Sequence, residues 1–267
     1  MKIFDCVTFF EEKNLLDIRF NILNNYVDYF VVCEGLYNHK GKKKKKNFNL
    51  KRYSKFIKKI IYISCPKFPK NMSPWERQGY QRDYILGELK IAADNDLILF
   101  SDPDEIPNPK KLKNINLKKK YGIFLQNLYY YKLNLQDKNL GCNWEGTRCC
   151  LKKNLRSINY MRQKVLKKNL KYGFWRLDKE RNIQIINNGG WHFSYLLTPK
   201  EIQRKIKTFA HTEFNKRNYT DIKIIKNRIE NKIDLFEREI LFDKIKIDKT
   251  FPKYIYKNKD KFEKWIV

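Results

Sequence analysis

The segment Leu97-Ile-Leu-Phe-Ser-Asp-Pro-Asp-Glu-Ile-Pro107 joins a short apolar run to three carboxylates. Its apolar part predicts a fully buried strand. Because Pro103 favours extended backbone around it, Asp102 and Asp104 are expected to point the same way. Two carboxylates on one side of a strand end form a partial site for Mg²⁺ or Mn²⁺. The alternative interpretation is an acidic turn between a strand and a helix.

Composition sets the class of protein. The 267 residues suffice for one large domain or two small ones, and 42% hydrophobic residues indicate a globular chain. The net charge of +29 favours a partner rich in phosphate, such as nucleic acid, anionic lipid or a nucleotide-linked substrate. Compositional bias toward lysine, asparagine and isoleucine is the other explanation.

The location of the protein is predicted from the segments that its sequence lacks. No apolar stretch approaches the ~18 residues of a membrane-spanning helix, and the chain starts directly as a strand without a signal segment. The six cysteines have no zinc-type spacing. We therefore expect a reduced, cytoplasmic protein, with peripheral contact at the inner membrane face also open.

The order of elements predicts an α/β fold. Strands at 2–10, 28–34 and 59–65, with a helix at 14–25, indicate a parallel sheet with a right-handed crossover. Ser73, Pro74 and Glu76 predict a capped helix that continues to about residue 92.

Further strands are predicted at 122–133, 147–151 and 183–186, which together give a Rossmann-like open mixed sheet flanked by helices. Residues 152–182 have a basic, irregular pattern. Gly189 and Gly190 allow a positive φ or a close approach of the backbone, and they predict a sharp turn at Trp191 and His192.

Several polar residues end predicted strands at the same edge of the sheet. Thr8, Glu34 and Asp102 stand at strand ends, and ligands of open α/β sheets bind beyond such ends. We assign Thr8 and Glu34 to the binding of a donor substrate. The lysine run 42–46 is either a solvated loop or a loop that closes over phosphates.

Beyond these patterns, the chain resembles glycosyltransferase family 17, which is typified by a β-1,4-N-acetylglucosaminyltransferase. The segments that carry the resemblance, in order, are NLLDIR at 14–19, VVCE at 31–34, Gly41-Lys42, WERQGYQRD at 75–83, SDPDEIP at 101–107, and GGWHFSY at 189–195 followed by HTE. The sequence differs from the animal enzymes in the lysine run and in having no predicted anchor or stem.

The resemblance implies a GT-A-type single domain over residues 1–215, and the lysine-rich amphipathic pattern after it predicts residues 216–267 as a basic helical C-terminal extension packed on that domain. It also implies a UDP-sugar donor, either UDP-N-acetylglucosamine or a related compound, a Mn²⁺ (or Mg²⁺) ion, and inversion at the anomeric carbon. The expected acceptor is a glycan or lipid-linked glycan of a surface polysaccharide.

Donor and metal roles follow as hypotheses. Asp104, with Asp102 directly or through water, would hold the metal, and His192 is either a third ligand or a packed turn histidine. Arg77 or Arg82 would orient Asp102 or a donor phosphate, because a guanidinium group suits both tasks.

Acceptor and base roles are assigned to the later part of the chain. Trp144 and Trp191 are expected to contact the acceptor sugar. Inversion needs a carboxylate within hydrogen-bond reach of the acceptor hydroxyl. Glu145 is the first choice for this general base, Glu105 and Glu213 are its rivals, and a plain loop glutamate is the alternative for each.

Two competing functions remain open at this point. The basic charge, with tyrosines and lysines interleaved at 128–133, would suit a nucleic-acid or anionic-membrane binding protein. A nucleotidyl- or phosphotransferase could use the same metal-carboxylate site. The acidic motif favours an enzyme, because a binding protein has no need of it.

Overall fold

The computed structural model describes all residues from 1 to 267, and one ten-stranded mixed sheet runs through it. The strands are β1 (Ile3–Phe9), β2 (Tyr29–Gly35), β3 (Ile60–Cys65), β4 (Leu97–Ser101), β5 (Glu105–Pro107), β6 (Tyr121–Tyr130), β7 (Leu135–Asp137), β8 (Trp144–Leu151), β9 (Ile183–Ser194) and β10 (Phe242–Lys244).

The sheet order is β10-β7-β6-β8-β4-β1-β2-β3, with β9 paired to both β5 and β6. The neighbours β4, β1, β2 and β3 are parallel, whereas β8 is antiparallel to both β4 and β6. The carboxyl ends of β1, β2 and β4 therefore meet at one edge, as the β-α-β pattern predicted.

Both faces of the sheet are covered, because side chains alternate along each strand. In β1, Ile3 and Val7 belong to the larger hydrophobic core, whereas Phe4 and Cys6 belong to the second one on the opposite face. The predicted class, α/β with an open mixed sheet flanked by helices, is confirmed, and this arrangement is consistent with the GT-A type.

Eight α-helices connect or cover the strands. They are α1 (Lys13–Leu23), α2 (Pro74–Asp83), α3 (Pro109–Lys113), α4 (Ile158–Lys164), α5 (Pro199–Thr208), α6 (Arg217–Thr220), α7 (Ile222–Glu230) and α8 (Lys253–Tyr256). The 3₁₀ helices are Leu50–Lys59, Tyr84–Ile91, Lys152–Asn154, Lys167–Lys171, Thr212–Phe214 and Asp260–Trp265.

The capped helix begins where the sequence predicts but ends earlier. The Ser73 hydroxyl accepts from the Glu76 amide, and the Glu76 carboxylate accepts from the Ser73 amide, so the capping box is formed. A continuous α-helix to residue 92 was wrong, because the chain becomes a 3₁₀ helix after Asp83. Gly87, a poor helix former, lies in that second part.

The predicted sharp turn at Trp191 and His192 was also wrong, because both residues lie within β9, which continues to Ser194. The predicted positive φ or close backbone approach at these glycines is confirmed, and the pairing of β9 with β6 has an irregularity in register here. A Cβ on Gly189 would lie 2.7 Å from the Cβ of Phe124, and one on Gly190 would lie 2.1 Å from the Ile106 carbonyl oxygen. Gly190 also has a φ of +135°. Strand pairing, rather than a turn, therefore positions the residues that follow.

Residues beyond 215 contribute to both the sheet and the core. The helices α6, α7 and α8 lie here, β10 pairs with β7, and Phe262 and Trp265 are buried in the larger core. The division into a domain at 1–215 and an extension stays a prediction. None of the helices is both long enough and apolar enough to span a bilayer.

Candidate active site

A cleft of about 190 Å³ opens at the edge of the sheet where the parallel strands end. Thr8 from β1, Asp102 and Asp104 from the turn after β4, and Lys205 from α5 all line it. The cleft therefore brings the acidic motif together with one of the predicted donor residues.

Asp102 is held by two guanidinium groups. The Arg82 Nη2 donates to its Oδ1 at 3.0 Å, and the Arg162 Nη2 and Nε donate to its Oδ2 at 2.8 and 3.0 Å. Partial burial alone would raise the pKa of Asp102, but Arg162 and then Arg82 outweigh it and hold the pKa well below its ordinary value. Asp102 is thus a fixed anion whose oxygens already have partners.

Glu105 braces the turn from inside the protein. Its Oε1 accepts from Arg162 at 2.8 Å and from the Trp144 indole at 2.9 Å, while its Oε2 accepts from the Asp102 amide at 3.1 Å. The side chain is only 1% exposed. A carboxylate with this many partners is a positioning group, and its predicted role as a rival base has no support in this geometry.

A buried arginine, Arg19, also supports this turn. Arg19 of α1 is paired with Asp5 of β1, and its remaining donors reach the Ser101 hydroxyl at 2.9 Å and the Glu105 carbonyl oxygen at 2.6 Å. All of these groups are inaccessible to solvent. Arg19 therefore links α1, β1, β4 and β5 beneath the acidic motif.

Asp104 points into the cleft between two cationic or potentially cationic groups. Its Oδ1 lies 3.5 Å from the His192 Nε2, and its Oδ2 lies 3.3 Å from the Lys205 ammonium. Burial would raise the pKa of Asp104, but Lys205 and His192 lower it well below its ordinary range. The Asp104 carbonyl oxygen also accepts from the Phe193 amide at 2.8 Å, which fixes the turn against β9.

Lys205 stands between two carboxylates at the mouth of the cleft. Its ammonium is 3.6 Å from the Glu12 Oε1 and 3.3 Å from the Asp104 Oδ2. Burial would lower the pKa of Lys205, but Asp104 and Glu12 raise it above its ordinary value, so the group stays charged. The helix that carries it starts at a Thr198 capping box.

Two of the predicted donor residues hold the neighbouring loop instead. Glu34 is fully buried and accepts from the Lys44 ammonium at 2.5 Å, the Asn47 amide at 2.7 Å and the Tyr62 hydroxyl at 2.9 Å. Arg77 donates to the His39 carbonyl oxygen at 3.0 Å. Both side chains therefore fix the segment around the lysine run.

The two predicted acceptor residues, Trp144 and Trp191, have different surroundings. Trp191 is buried in the larger core, where it packs instead of offering a sugar-stacking surface. Trp144 is half-buried, and its ring lies 4.4 Å from that of His192. Glu145 follows Trp144 in β8, and its Oε2 accepts from Arg148 at 3.3 Å and from the Lys167 amide at 2.9 Å.

The third candidate base lies near the rim of the cleft. Glu213 accepts from His211 Nδ1 at 2.7 Å, and its side chain is 55% exposed. The His211 ring packs against the rings of Trp75 and of Phe209, and Phe209 lines the cleft. Of the three candidates, Glu105 is enclosed, whereas Glu145 and Glu213 each keep one oxygen without a hydrogen-bond partner.

Sequence reasoning missed Arg162 and Lys205. Arg162 lies on α4, inside the stretch 152–182 for which the sequence predicts irregular structure, although Ser157 caps this helix by accepting from the Tyr160 amide. That serine before a short apolar pattern was the available signal. Nothing local marks Lys205, because the chain carries many lysines and only the packing of α5 brings this one to Asp104.

Protein ligands for a metal are few in this cleft. No group of three or more His, Cys, Asp or Glu side chains is arranged to hold an ion. The Asp104 Oδ1 and the His192 Nε2 form the one predicted ligand pair that lies together, while Asp102 is occupied by its arginines.

The comparison with protein families identifies one family. The sequence profile of glycosyltransferase family 17 matches residues 1–263. The beta-1,4-mannosyl-glycoprotein 4-beta-N-acetylglucosaminyltransferase of Rattus norvegicus is 27% identical over 116 residues, which are 40% of this chain and 22% of that protein. The Homo sapiens protein of the same name gives the same identity and coverage. The match thus spans 22% of the length of these relatives.

Two solved structures show weaker likeness. A glycosyltransferase involved in the glycosylation of the major capsid of PBCV-1 is 11% identical, with a TM-score of 0.35 over 70% of this chain and 82% of that one. The inositol-1-phosphate CTP transferase from T. maritima is 9% identical, with a TM-score of 0.31 over 100% of this chain and 98% of that one. Both superpositions are loose, so no residue is carried over from either protein.

Proposed function

We propose, from the premise that the chain belongs to glycosyltransferase family 17, that it transfers N-acetylglucosamine or a related sugar from a UDP-sugar to a glycan acceptor with inversion. The observation that carries this proposal is the position of Asp104 in the cleft, between His192 and Lys205. A carboxylate with an imidazole and an ammonium beside it suits the diphosphate end of such a donor.

A divalent metal ion such as Mn²⁺ or Mg²⁺ fits this end of the cleft. Asp104 and His192 would be its protein ligands, and such ions commonly take one or two protein side chains and complete their shell with water and substrate phosphate. When bound, the ion would neutralise charge on the departing nucleoside diphosphate. Asp102 would not be a direct ligand of the metal, because Arg82 and Arg162 bind its oxygens.

Lys205 supplies a second positive charge, in addition to the metal ion, beside the Asp104 carboxylate. Its ammonium has Glu12 and Asp104 as partners, and a phosphate oxygen entering the cleft would be a further acceptor for it. We therefore assign Lys205 to the diphosphate, next to the metal ligands, in place of Glu34 and Arg77.

The acceptor would approach from the side of Trp144. This indole is fixed by its bond to Glu105, and its ring lies beside His192, so its exposed part offers a rigid surface for a sugar. Glu145 stays the proposed general base, because its partly exposed carboxylate keeps one free oxygen. Glu213 at the cleft rim is the remaining rival.

Incubation with UDP-N-acetylglucosamine labelled in the sugar, with Mn²⁺ and a panel of glycan acceptors, tests the proposal. We expect labelled sugar on the acceptor and free UDP, and Asp104→Asn should abolish both while Asp243→Asn, an exposed carboxylate, behaves as wild type. Labelled N-acetylglucosamine 1-phosphate on the acceptor, with free UMP in place of UDP, would identify a phosphotransferase. Full activity of Asp104→Asn, folded normally, would remove the metal and diphosphate assignment.

A further inference from the structure

The segment from Lys164 to Arg181, which follows α4, carries the most exposed group of large apolar side chains in the protein. Phe174, Trp175 and Leu177 are 79%, 71% and 93% exposed. Single exposed apolar residues are normal on soluble proteins, but three large ones at one loop tip mark an interaction surface. We call these three side chains the aromatic tip.

The aromatic tip stands on an ordered base. Asn169 is buried, and its side-chain amide donates to the Lys164 carbonyl oxygen at 2.7 Å and to the Glu180 carbonyl oxygen at 3.0 Å, which ties the two ends of the segment together. The Tyr172 ring is covered by the Arg176 guanidinium at 5.1 Å. The tip is therefore held outward by a fixed base.

Positive charge surrounds this tip. Residues 164–181 contain seven Lys or Arg and two Asp or Glu. Asp178 is paired with Arg176 and Lys179, which leaves a set of exposed lysines without an acidic partner, namely Lys164, Lys167, Lys168 and Lys171. An apolar tip inside a basic ring matches an anionic bilayer, whose interface accepts Trp and Phe while its phosphates attract lysine.

We propose that the protein docks on anionic lipid bilayers by inserting the aromatic tip into the interface, with the surrounding lysines on the lipid phosphates. The net charge of +29 strengthens the attraction, but diffuse charge alone would leave Phe174, Trp175 and Leu177 in water. Docking of this kind does not depend on the chemistry of the cleft, so it is measured by binding alone.

Vesicle co-sedimentation of the full chain separates insertion from diffuse attraction. Wild type should bind vesicles of phosphatidylcholine with phosphatidylglycerol and should bind pure phosphatidylcholine much more weakly. Phe174→Ser, Trp175→Ser and Leu177→Ser combined should weaken binding to the anionic vesicles about a hundredfold. The matched control changes three exposed apolar residues elsewhere, Ile57→Ser, Ile91→Ser and Leu241→Ser, and should bind as wild type.

A second measurement reports how deeply the Trp175 side chain enters the bilayer. Brominated lipid in the anionic vesicles should quench the tryptophan fluorescence of wild type, and Trp175→Phe should lose most of that quenching while it still binds. Lys168→Glu with Lys171→Glu should weaken binding at low salt, with a smaller effect at high salt because the attraction is then screened.

Three results would overturn the proposal. One is equal binding of wild type and the triple tip variant, which would leave diffuse charge as the whole attraction. Another is the absence of binding to anionic vesicles. The third is self-association, lost in the triple tip variant and seen by analytical ultracentrifugation without vesicle binding, which would make the tip a contact between copies of the chain.

Discussion

Glu105 of β5 lies directly opposite His192 of β9 in an antiparallel pair. The pairing places the acidic motif and the Gly-Gly-Trp-His segment side by side, so that Asp104, the residue before the strand, comes within 3.5 Å of the imidazole. The diphosphate end of the candidate site is therefore built by strand register, and it depends on the residues that allow the two strands to approach.

Gly190→Ala should disrupt this register. The new Cβ would meet the Ile106 carbonyl oxygen at 2.1 Å, and the φ of +135° is strained for alanine. We expect a loss of more than about 3 kcal/mol in the free energy of unfolding, measured by urea denaturation. Gly87→Ala, where nothing lies within 4 Å of the added Cβ, is the control and should be neutral or slightly stabilising. Equal stability of the two variants would contradict the described strand packing.

Arg162→Met should destabilise the acidic turn. It leaves Asp102 and Glu105 without their shared guanidinium, and breaking a buried ion pair from one side costs about 3 to 5 kcal/mol. Arg162→Lys keeps the charge but cannot bridge both carboxylates, so its loss should be intermediate. Lys164→Met, an exposed change on the same helix, should leave the melting temperature unchanged. An unaltered melting temperature for Arg162→Met would show that the bridge contributes nothing.

The decrease in the free energy of unfolding at acidic pH should depend on Asp102. Its folded pKa is lowered, so its contribution is fully present above the unfolded pKa of about 3.9 and is lost as the pH falls through that value toward the folded pKa. The difference in unfolding free energy between wild type and Asp102→Asn should therefore shrink from pH 7 to pH 3. Asp260→Asn, an exposed change, should have an unfolding free energy that depends on pH in the same way as that of wild type. A constant gap for Asp102→Asn would contradict the lowered pKa.

Lys205→Met should change metal and nucleotide binding in opposite directions. Without nucleotide, removal of the ammonium beside Asp104 takes away a competing charge, so the affinity for Mn²⁺ should rise about tenfold by calorimetry. In the presence of a chelator, the affinity for UDP should fall about tenfold, because a charge-assisted hydrogen bond to phosphate is lost. Lys207→Met, exposed on the same helix, should alter neither. Unchanged UDP affinity would remove Lys205 from the donor site.

Single substitutions decide which of the two remaining carboxylates, Glu145 or Glu213, is the general base. Glu145→Gln should lower kcat at least about a hundredfold and leave the Kd for UDP unchanged, since a base contributes to proton transfer and not to donor binding. Glu230→Gln, exposed on α7, serves as the control. If Glu145→Gln keeps its rate and Glu213→Gln loses it, the role passes to the carboxylate at the cleft rim.

Local patterns predicted much of the sheet. The buried strand predicted for the apolar run before Asp102 is present as Leu97–Ser101, and the early β-α-β order and the capping box at Ser73 are present too, because buried runs and caps depend on nearby residues. The turn predicted at Gly189 failed for a physical reason. Glycine permits both a turn and a close approach of strands, and only the position of Ile106 and Phe124 decides between them.

The sequence by itself determined the α/β class, the edge of the sheet at which a ligand would bind, and the acidic chemistry of Asp102 and Asp104. Only the tertiary structure decided the partners of these carboxylates. Arg162 and Lys205 come from helices far along the chain, and in a protein with 58 Lys and Arg no local pattern shows that these two pack against Asp102 and Asp104. Burial and distance set the strength of a charge interaction, and both exist only after the chain has folded.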